Sequence, residues 1–366
     1  MFRIEMLPAQ QGDALWIEYG DDAAPTRILI DAGTPPTYEV VKDRLLQLDP
    51  DDRRFELLVV THIDTDHIGG VLKLLADDTL GLAFDEVWFN AWRHLEAVPT
   101  DRLGPIDGEI LSVLLDHLDC PWNDAFGEGP AMVPAEGPLP SHQLPGGMTL
   151  TLLSPGAEQL LDLKREWAKV IQDAGLDPSD PGRAQEILEE LAAKKGVRLD
   201  RLGAEEIDVE ELAASAFVPD RAEANGSTIA VLAEFEGSSA VLAGDGFPDV
   251  IAPNVARLIQ ERGTQKLAID VFKLPHHGSM HNISNDLLSL VSCGRYLFSS
   301  SGAIFGHPDQ EAVARVIVNG GSEPDLLFNY RTEINSVWDD PGLMDEFGYT
   351  VAYPADDAPG LTVDLM

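Results

Sequence analysis

Two histidines and two aspartates fall within six residues of the segment Thr61-His62-Ile63-Asp64-Thr65-Asp66-His67-Ile68-Gly69-Gly70. The uncharged run Leu57-Leu58-Val59-Val60 precedes them. It is short and apolar and ends in two β-branched valines, as expected of a buried strand. The strand delivers four polar side chains into one short loop, where they can converge. Imidazole and carboxylate are ligands of a borderline or hard divalent cation such as Zn²⁺ or Mn²⁺. A polar loop after a buried strand is the competing reading, and it gives no reason for four ligand-type residues in six positions.

The theme recurs at other strand ends. Asp31 follows the expected strand Arg27–Ile30, and Asp245 follows Ala240–Ala243. His276 and His277 follow Leu267–Leu274, and His307 ends a Ser/Gly loop after Arg295–Phe298. Five of the nine histidines lie in such loops. Ligands gathered from several strand ends onto one edge are what a two-metal hydrolase needs. Other roles compete at single positions. Asp31 could simply end a strand, Asp245 could form an Asp-Gly hairpin turn, and His276 could make a structural hydrogen bond. His94, His117 and His281 match no motif.

The elements that must position these residues alternate between strand and helix. Phe2–Leu7, Leu15–Tyr19, Arg27–Ile30, Leu57–Val60 and Glu86–Asn90 are expected as strands. Tyr38–Leu48 has helical periodicity, and Ile68–Leu75 is expected as a helix opened by the glycine pair. From Trp92 to about Gly147 the pattern is irregular, and Gly127–Pro145 is expected as a long surface loop. Thr149–Leu153, Thr228–Phe235, Ala240–Ala243, Leu267–Leu274 and Arg295–Phe298 follow as strands, with a helix at Val255–Glu261. The remainder, through Leu326–Asn329, Thr350–Tyr353 and Leu361–Leu365, is expected as closing strands. Residues 157–221 carry helical stripes (Leu160, Leu161, Leu163, Trp167, Val170, Ile171, then Ile187, Leu188, Leu191) and are expected as a helical insertion. Their basic residues are interspersed with acids, as on solvated helix faces. The α/β rhythm predicts two halves around one site within a single domain, residues 1–366.

Composition narrows the partners. The chain of 366 residues has 44% hydrophobic and 24% charged residues, as in an ordinary globular protein. Lys and Arg number 25 against 63 Asp and Glu, a net charge of −38. Such a surface disfavours broad nucleic-acid binding, which uses a basic face, but does not exclude one phosphate at a cationic metal centre. An acidic or salt-adapted proteome would give the same composition. No apolar run is long enough for a membrane span, the amino-terminal residues lack a signal-peptide stretch, and the two cysteines form no Cys-x-x-Cys unit. A cytoplasmic location without membrane attachment is the expectation.

In family order, the chain contains Gln11-Gly12-Asp13-Ala14, Ile30-Asp31-Ala32-Gly33, Thr61 to Gly70, Asn225-Gly226-Ser227, Gly244-Asp245, Pro275-His276-His277-Gly278-Ser279 and Gly306-His307-Pro308. With these motifs it resembles the metallo-β-lactamase superfamily, whose loop has the form His-x-His/Asp-x-Asp-His. Within that superfamily it resembles the branch that includes the hydrolase domain of the ComEC competence proteins. The resemblance implies a four-layer αβ/βα sandwich with two divalent metal ions, Zn²⁺ or Mn²⁺, at one edge. It implies His62 and Asp64 on one metal and Asp66, His67 and His277 on the other, with Asp245 bridging. Asp64 stands where a histidine is usual, which hardens the site and favours Mn²⁺ as a competitor of Zn²⁺. Asp31 would orient a ligand from behind. The histidine usually supplied between the loop and the bridging aspartate is missing. Asn225 or a water is expected in its place, and His142 lies in the Pro/Gly loop.

The function this implies is a phosphodiesterase using a metal-bridging hydroxide on a small phosphodiester, with His276 contacting phosphate and His307 a leaving or non-bridging oxygen. Two other functions stay open. One is hydrolysis of a small ester, lactone or thioester. The other is a regulatory or binding protein that keeps the metal site and docks a protein partner through the insertion.

Overall fold

The computed structural model describes residues 1–95, 106–118, 120–174, 207–355, 358 and 360–366. In chain order the strands are β1 (Phe2–Met6), β2 (Leu15–Asp21), β3 (Ala24–Ile30), β4 (Arg54–Phe55), β5 (Leu57–Val59), β6 (Ala83–Phe84), β7 (Val87–Trp88), β8 (Ser141–Gln143) and β9 (Thr149–Ser154). The second half supplies β10 (Ala230–Phe235), β11 (Ser238–Leu242), β12 (Leu267–Ala268), β13 (Val271–Lys273), β14 (Val291–Ser292), β15 (Arg295–Phe298), β16 (Asp325–Phe328), β17 (Thr350–Ala352) and β18 (Leu361–Asp364). One sheet has the order β18-β1-β2-β3-β5-β7 and the other β17-β16-β15-β13-β11-β10-β9-β8. Each is antiparallel in one part and parallel in the other: β3, β5 and β7 run parallel, as do β11, β13, β15, β16 and β17.

Side-chain alternation gives each sheet two buried faces. Ile28 and Ile30 of β3, and Leu57 and Val59 of β5, face the core between the sheets; Leu29 and Leu58 face the opposite way. In β10, Val231, Ala233 and Phe235 join that central core, while Ala230 and Leu232 point outward. Period-two alternation with both faces apolar requires a cover on each outer face. Helices Thr37–Leu45, Thr65–Ala76, Ile106–Leu118 and Ala157–Ala174 cover the six-stranded sheet through Val41, Ile68, Val71, Leu111, Leu115, Leu160, Leu163 and Trp167. Helices Pro248–Arg262, Asn285–Leu290 and Gln310–Asn319 cover the eight-stranded sheet through Ile251, Val255, Leu287, Val313 and Val316. The result is the expected αβ/βα sandwich. Among the described residues no helix is long and apolar enough to cross a membrane.

Several expectations need correction. The glycine pair lies inside helix Thr65–Ala76, about one turn after its start, rather than opening it. The irregular region holds the helix Ile106–Leu118. The expected surface loop Gly127–Pro145 contributes the edge strand β8 and buries Ala131, Val133 and Leu139. Leu267–Leu274 breaks into β12 and β13 of different sheets, because Asp270 leaves the ladder and its carboxylate accepts from Ser239 N at 2.8 Å. Beyond Pro308, helices Gln310–Asn319 and Pro341–Phe347 separate the closing strands. Of the expected insertion, the Ala157–Ala174 helix and residues 207–221 are described; the second stripe, Ile187 to Leu191, lies outside the described residues.

Candidate metal centre

The loop after β5 is fixed by Asp31, which follows β3 in the neighbouring parallel position. Thr61 donates twice to the Asp31 carboxylate, from N at 2.8 Å and from Oγ1 at 2.6 Å. His67 sits in the first turn of helix Thr65–Ala76, and its Nδ1 lies 2.7 Å from Asp31 Oδ2. The glycine pair allows this contact. A Cβ at Gly70 would lie 2.0 Å from Ala32 O, and one at Gly69 would lie 2.5 Å from Pro35. Backbone bonds from Ala32 N to His67 O at 3.1 Å and from Gly70 N to Gly33 O at 2.9 Å complete the close approach. With its Nδ1 proton given to a carboxylate, His67 presents the Nε2 lone pair forward, the usual support of a metal-ligating imidazole.

The other half of the site comes from the parallel strands of the second sheet. Asp245 follows β11, and His276 and His277 follow β13 in the single turn Pro275–Gly278. Asp31, His276 and His277 are non-glycine residues with φ of 56°, 48° and 56°. Left-handed backbone at such residues costs roughly 1–3 kcal/mol each and persists only where the surroundings enforce it, often at functional sites. All these residues stand beyond the carboxyl ends of parallel strands, the usual location of α/β sites.

The side chains converge on Asp245. Its Oδ2 lies 3.3 Å from His67 Nε2, 3.4 Å from His277 Nε2, 3.7 Å from His276 Nε2 and 3.9 Å from His62 Nε2. Asp66 Oδ2 is 3.7 Å from His277 Nε2, and Asp64 Oδ2 is 3.6 Å from His62 Nε2. The Nε2 atoms of His62, His67 and His277 and Asp245 Oδ1 are buried without a hydrogen-bond partner. Buried polar atoms are rarely left so. Three unpartnered imidazole nitrogens around a carboxylate are the donor set of a divalent cation, so the residues present fit the group. Ligand atoms of His62, His67 and Asp245 lie within 4.8 Å of one another, as do those of Asp66, His67 and His277. His67 thus belongs to both groups, whereas its expected place was in the second alone, with Asp66, His277 and the bridging Asp245. Asp64 sits at the exposed side, 44% of its side chain accessible.

Electrostatics follow the same layout. Burial opposes ionisation of Asp245, but His277, His67 and His276 outweigh it and hold its pKa well below the carboxylate range. Burial likewise opposes a charge on His67, yet Asp245 and Asp31 raise its pKa well above the ordinary value. For His276 burial is again outweighed, by Asp245 and Asp220, and its pKa rises to about 9. Asp64 is held low: partial desolvation among the surrounding groups raises its pKa, and His62 more than offsets that. The carboxylates create a potential that attracts cations, whether protons or metal.

At the rim, His276 Nδ1 lies 2.9 Å from Asn282 Oδ1 and 3.3 Å from Asp220 Oδ2. Asn225 Nδ2 donates to Asp220 Oδ2 at 2.7 Å, and its buried Oδ1 has no partner. The His307 ring is 5.3 Å from that of His276, with Nδ1 3.4 Å from Asp309 Oδ2. Phe305, half exposed, stacks beside His307 at 6.3 Å. His142 is set apart on β8, its ring against Trp88 and Phe126 at 5.6 and 4.7 Å. Two supporting residues, Lys273 and Asp220, escaped the sequence reading, and a third, Asp13, entered it only within the motif Gln11-Gly12-Asp13-Ala14, with no role assigned. Lys273 carried a signal, an ammonium within the buried run Val271-Phe272-Lys273-Leu274. Asp220 carried none.

Residues 8–145 match the model of the metallo-beta-lactamase superfamily. No curated protein matches the chain. The matched segment includes Asp13, Asp31 and the loop from His62 to His67, while Asp245, His277 and His307 lie beyond it. Match and architecture agree on a metallo-β-lactamase fold, a superfamily composed mostly of metal-dependent hydrolases.

Proposed function

We propose that this protein is a dinuclear metal-dependent hydrolase whose substrate is a small phosphodiester. The carrying observation is the set of unpartnered Nε2 atoms of His62, His67 and His277 around the Asp245 carboxylate. His62, Asp64 and Asp245 would hold one cation, and Asp66, His67, His277 and Asp245 the other. Asn225, which donates to Asp220 beside His276, keeps a buried Oδ1 without a partner, and we read it as the stand-in for the missing histidine. Two divalent cations held there, Zn²⁺ or Mn²⁺, would supply a nucleophile at neutral pH and offset charge on phosphoryl oxygens. His276, held by Asp220 and Asn282, offers an N–H to a phosphate oxygen. To His307, whose ring lies beside those of His276 and Phe305, we assign contact with the leaving or a non-bridging oxygen. The motif order supports a position near the ComEC branch, and we read residues 157–221 as an insertion within one domain. In the described part of that insertion Leu160, Leu163 and Trp167 are buried in the helix layer over the first sheet, which speaks against an open docking face at these three residues.

The net charge of −38 favours one rival, hydrolysis of a neutral ester, lactone or thioester. Metal analysis followed by a panel of bis(p-nitrophenyl) phosphate, a nitrophenyl ester, a lactone and single-stranded oligonucleotide separates them. Metal-dependent turnover greatest on the phosphodiester is expected. Metal-loaded protein active only on the ester or lactone would replace this reading, and loaded protein inactive on all would favour a regulatory role.

A further inference from the structure

Behind His277 lies a buried pair of opposite charges that the proposed hydrolysis does not use. Asp13, in the turn after β1, is 1% exposed, and Lys273, the last residue of β13, is 0% exposed. Lys273 Nζ donates to Asp13 Oδ2 and also lies 3.3 Å from Gly244 O. Asp13 Oδ1 is 3.0 Å from His277 Nδ1, with Ser299 Oγ 3.1 Å from the same nitrogen. Gly244 directly precedes Asp245. One ammonium therefore ties together the segments that carry His277 and Asp245.

The two histidines of the site are supported in different ways. Asp31, behind His67, is satisfied by two hydrogen bonds from Thr61. Asp13, behind His277, is matched by a full positive charge. A second bare carboxylate would add to the negative charge already supplied by Asp31, Asp66 and Asp245, and an unpaired buried charge is strongly unfavourable. We propose that Asp13 and Lys273 form a charge-neutral positioning clamp, which keeps the proton of His277 on Nδ1, aims Nε2 at the Asp66–Asp245 side and anchors the approach of Asp245 through Gly244. This rests on the metal-centre reading above. Carboxylates behind ligating histidines typically govern metal affinity by about 10–100-fold.

Single substitutions would strand a buried charge, so the test uses two double variants of the full chain. Asp13→Asn/Lys273→Met removes both charges and leaves an amide oxygen facing His277. Asp13→Ala/Lys273→Met removes the acceptor as well. Zn²⁺ and Co²⁺ affinities are measured by competition with a chromogenic chelator, and circular dichroism of the metal-free chains verifies folding. The first variant, which keeps an acceptor for His277 but loses the carboxylate charge and the tie to Gly244, should lose less affinity than the second, which should fall by about 10–100-fold for one cation. Equal affinities in all three folded chains would overturn the clamp alone. A wild-type chain that binds no divalent cation would overturn the metal reading and the clamp with it. Should the variants not fold, ¹⁵N NMR of zinc-loaded wild type decides: a His277 proton on Nδ1 is expected, and one on Nε2 overturns the clamp.

Discussion

Asp245 is the residue on which the centre turns, because its Oδ2 is within 3.3–3.9 Å of four imidazole nitrogens. Asp245→Asn keeps the shape and removes the charge shared by both proposed cations. Metal content after dialysis should fall from near two ions per chain to below one, with turnover down by at least roughly 100-fold. Unchanged content by elemental analysis would remove Asp245 from the ligand set. His94 makes a different prediction, away from the metals. It is 3% exposed and faces donors, with Ala91 N at 3.2 Å and Arg93 Nε at 3.3 Å. Burial, then Arg93, depress its pKa to about 4. The folded state thus binds fewer protons than the unfolded one between about pH 6.5 and 4, and stability must decline as pH falls through that window. The loss attributable to His94 is on the order of 3 kcal/mol at most. His94→Gln should flatten the pH dependence of urea-unfolding stability over this range relative to wild type, and an unchanged slope would show that His94 is not held neutral.

Among the elements, helix Thr65–Ala76 and its contact with the Asp31–Gly33 turn set the precision of the site. Gly70→Ala would force a Cβ within 2.0 Å of Ala32 O, so the helix must shift off the turn and the Asp31–His67 contact must lengthen. A cost of about 1–3 kcal/mol is expected from such overpacking, together with weaker metal retention. Gly294→Ala, whose added Cβ meets nothing within 4 Å, is the control and should change stability by less than about 0.5 kcal/mol. Equal melting temperatures for the two variants would show that the glycine is not needed for the approach. The same pair marks the limit of what the sequence discloses. Local chemistry was legible: Leu57–Val59 is apolar and runs into the β-branched Val59 and Val60, and polar ligands follow directly. The place of Gly69 and Gly70 was not, because the demand for a missing side chain comes from Pro35 and Ala32 across an interface. Helix Gln310–Asn319 was hidden by β-branched Val313, Val316 and Ile317, whose strand propensity yields to packing on the second sheet. Asp13 and Lys273 lie 260 residues apart, and only the tertiary fold joins them.

For the whole molecule, composition and site pull in opposite directions. A surface at −38 repels polyanions over a Debye length of about 8 Å at physiological ionic strength. It has few cationic residues from which DNA-binding could release phosphate counterions. Two divalent cations at one edge would still provide a local positive focus sufficient for a single phosphate. The signs of the salt effects therefore differ between substrates. Long-range repulsion of an anionic phosphodiester weakens as salt is added, so its hydrolysis should stay flat or rise slightly, changing by less than about twofold between 50 and 500 mM NaCl. A nuclease that relied on phosphate contacts would instead lose activity steeply over that range. Duplex DNA should bind poorly even at low salt, and any cleavage should favour single-stranded ends able to enter beside Phe305 and His307. His307→Ala should lower the turnover number while leaving metal content intact, since its ring lies toward His276 and Asp309 rather than Asp245. Strong, salt-sensitive cleavage of duplex DNA would overturn the small-substrate preference, because it would require a cationic track that 25 basic residues against 63 acidic ones do not readily supply.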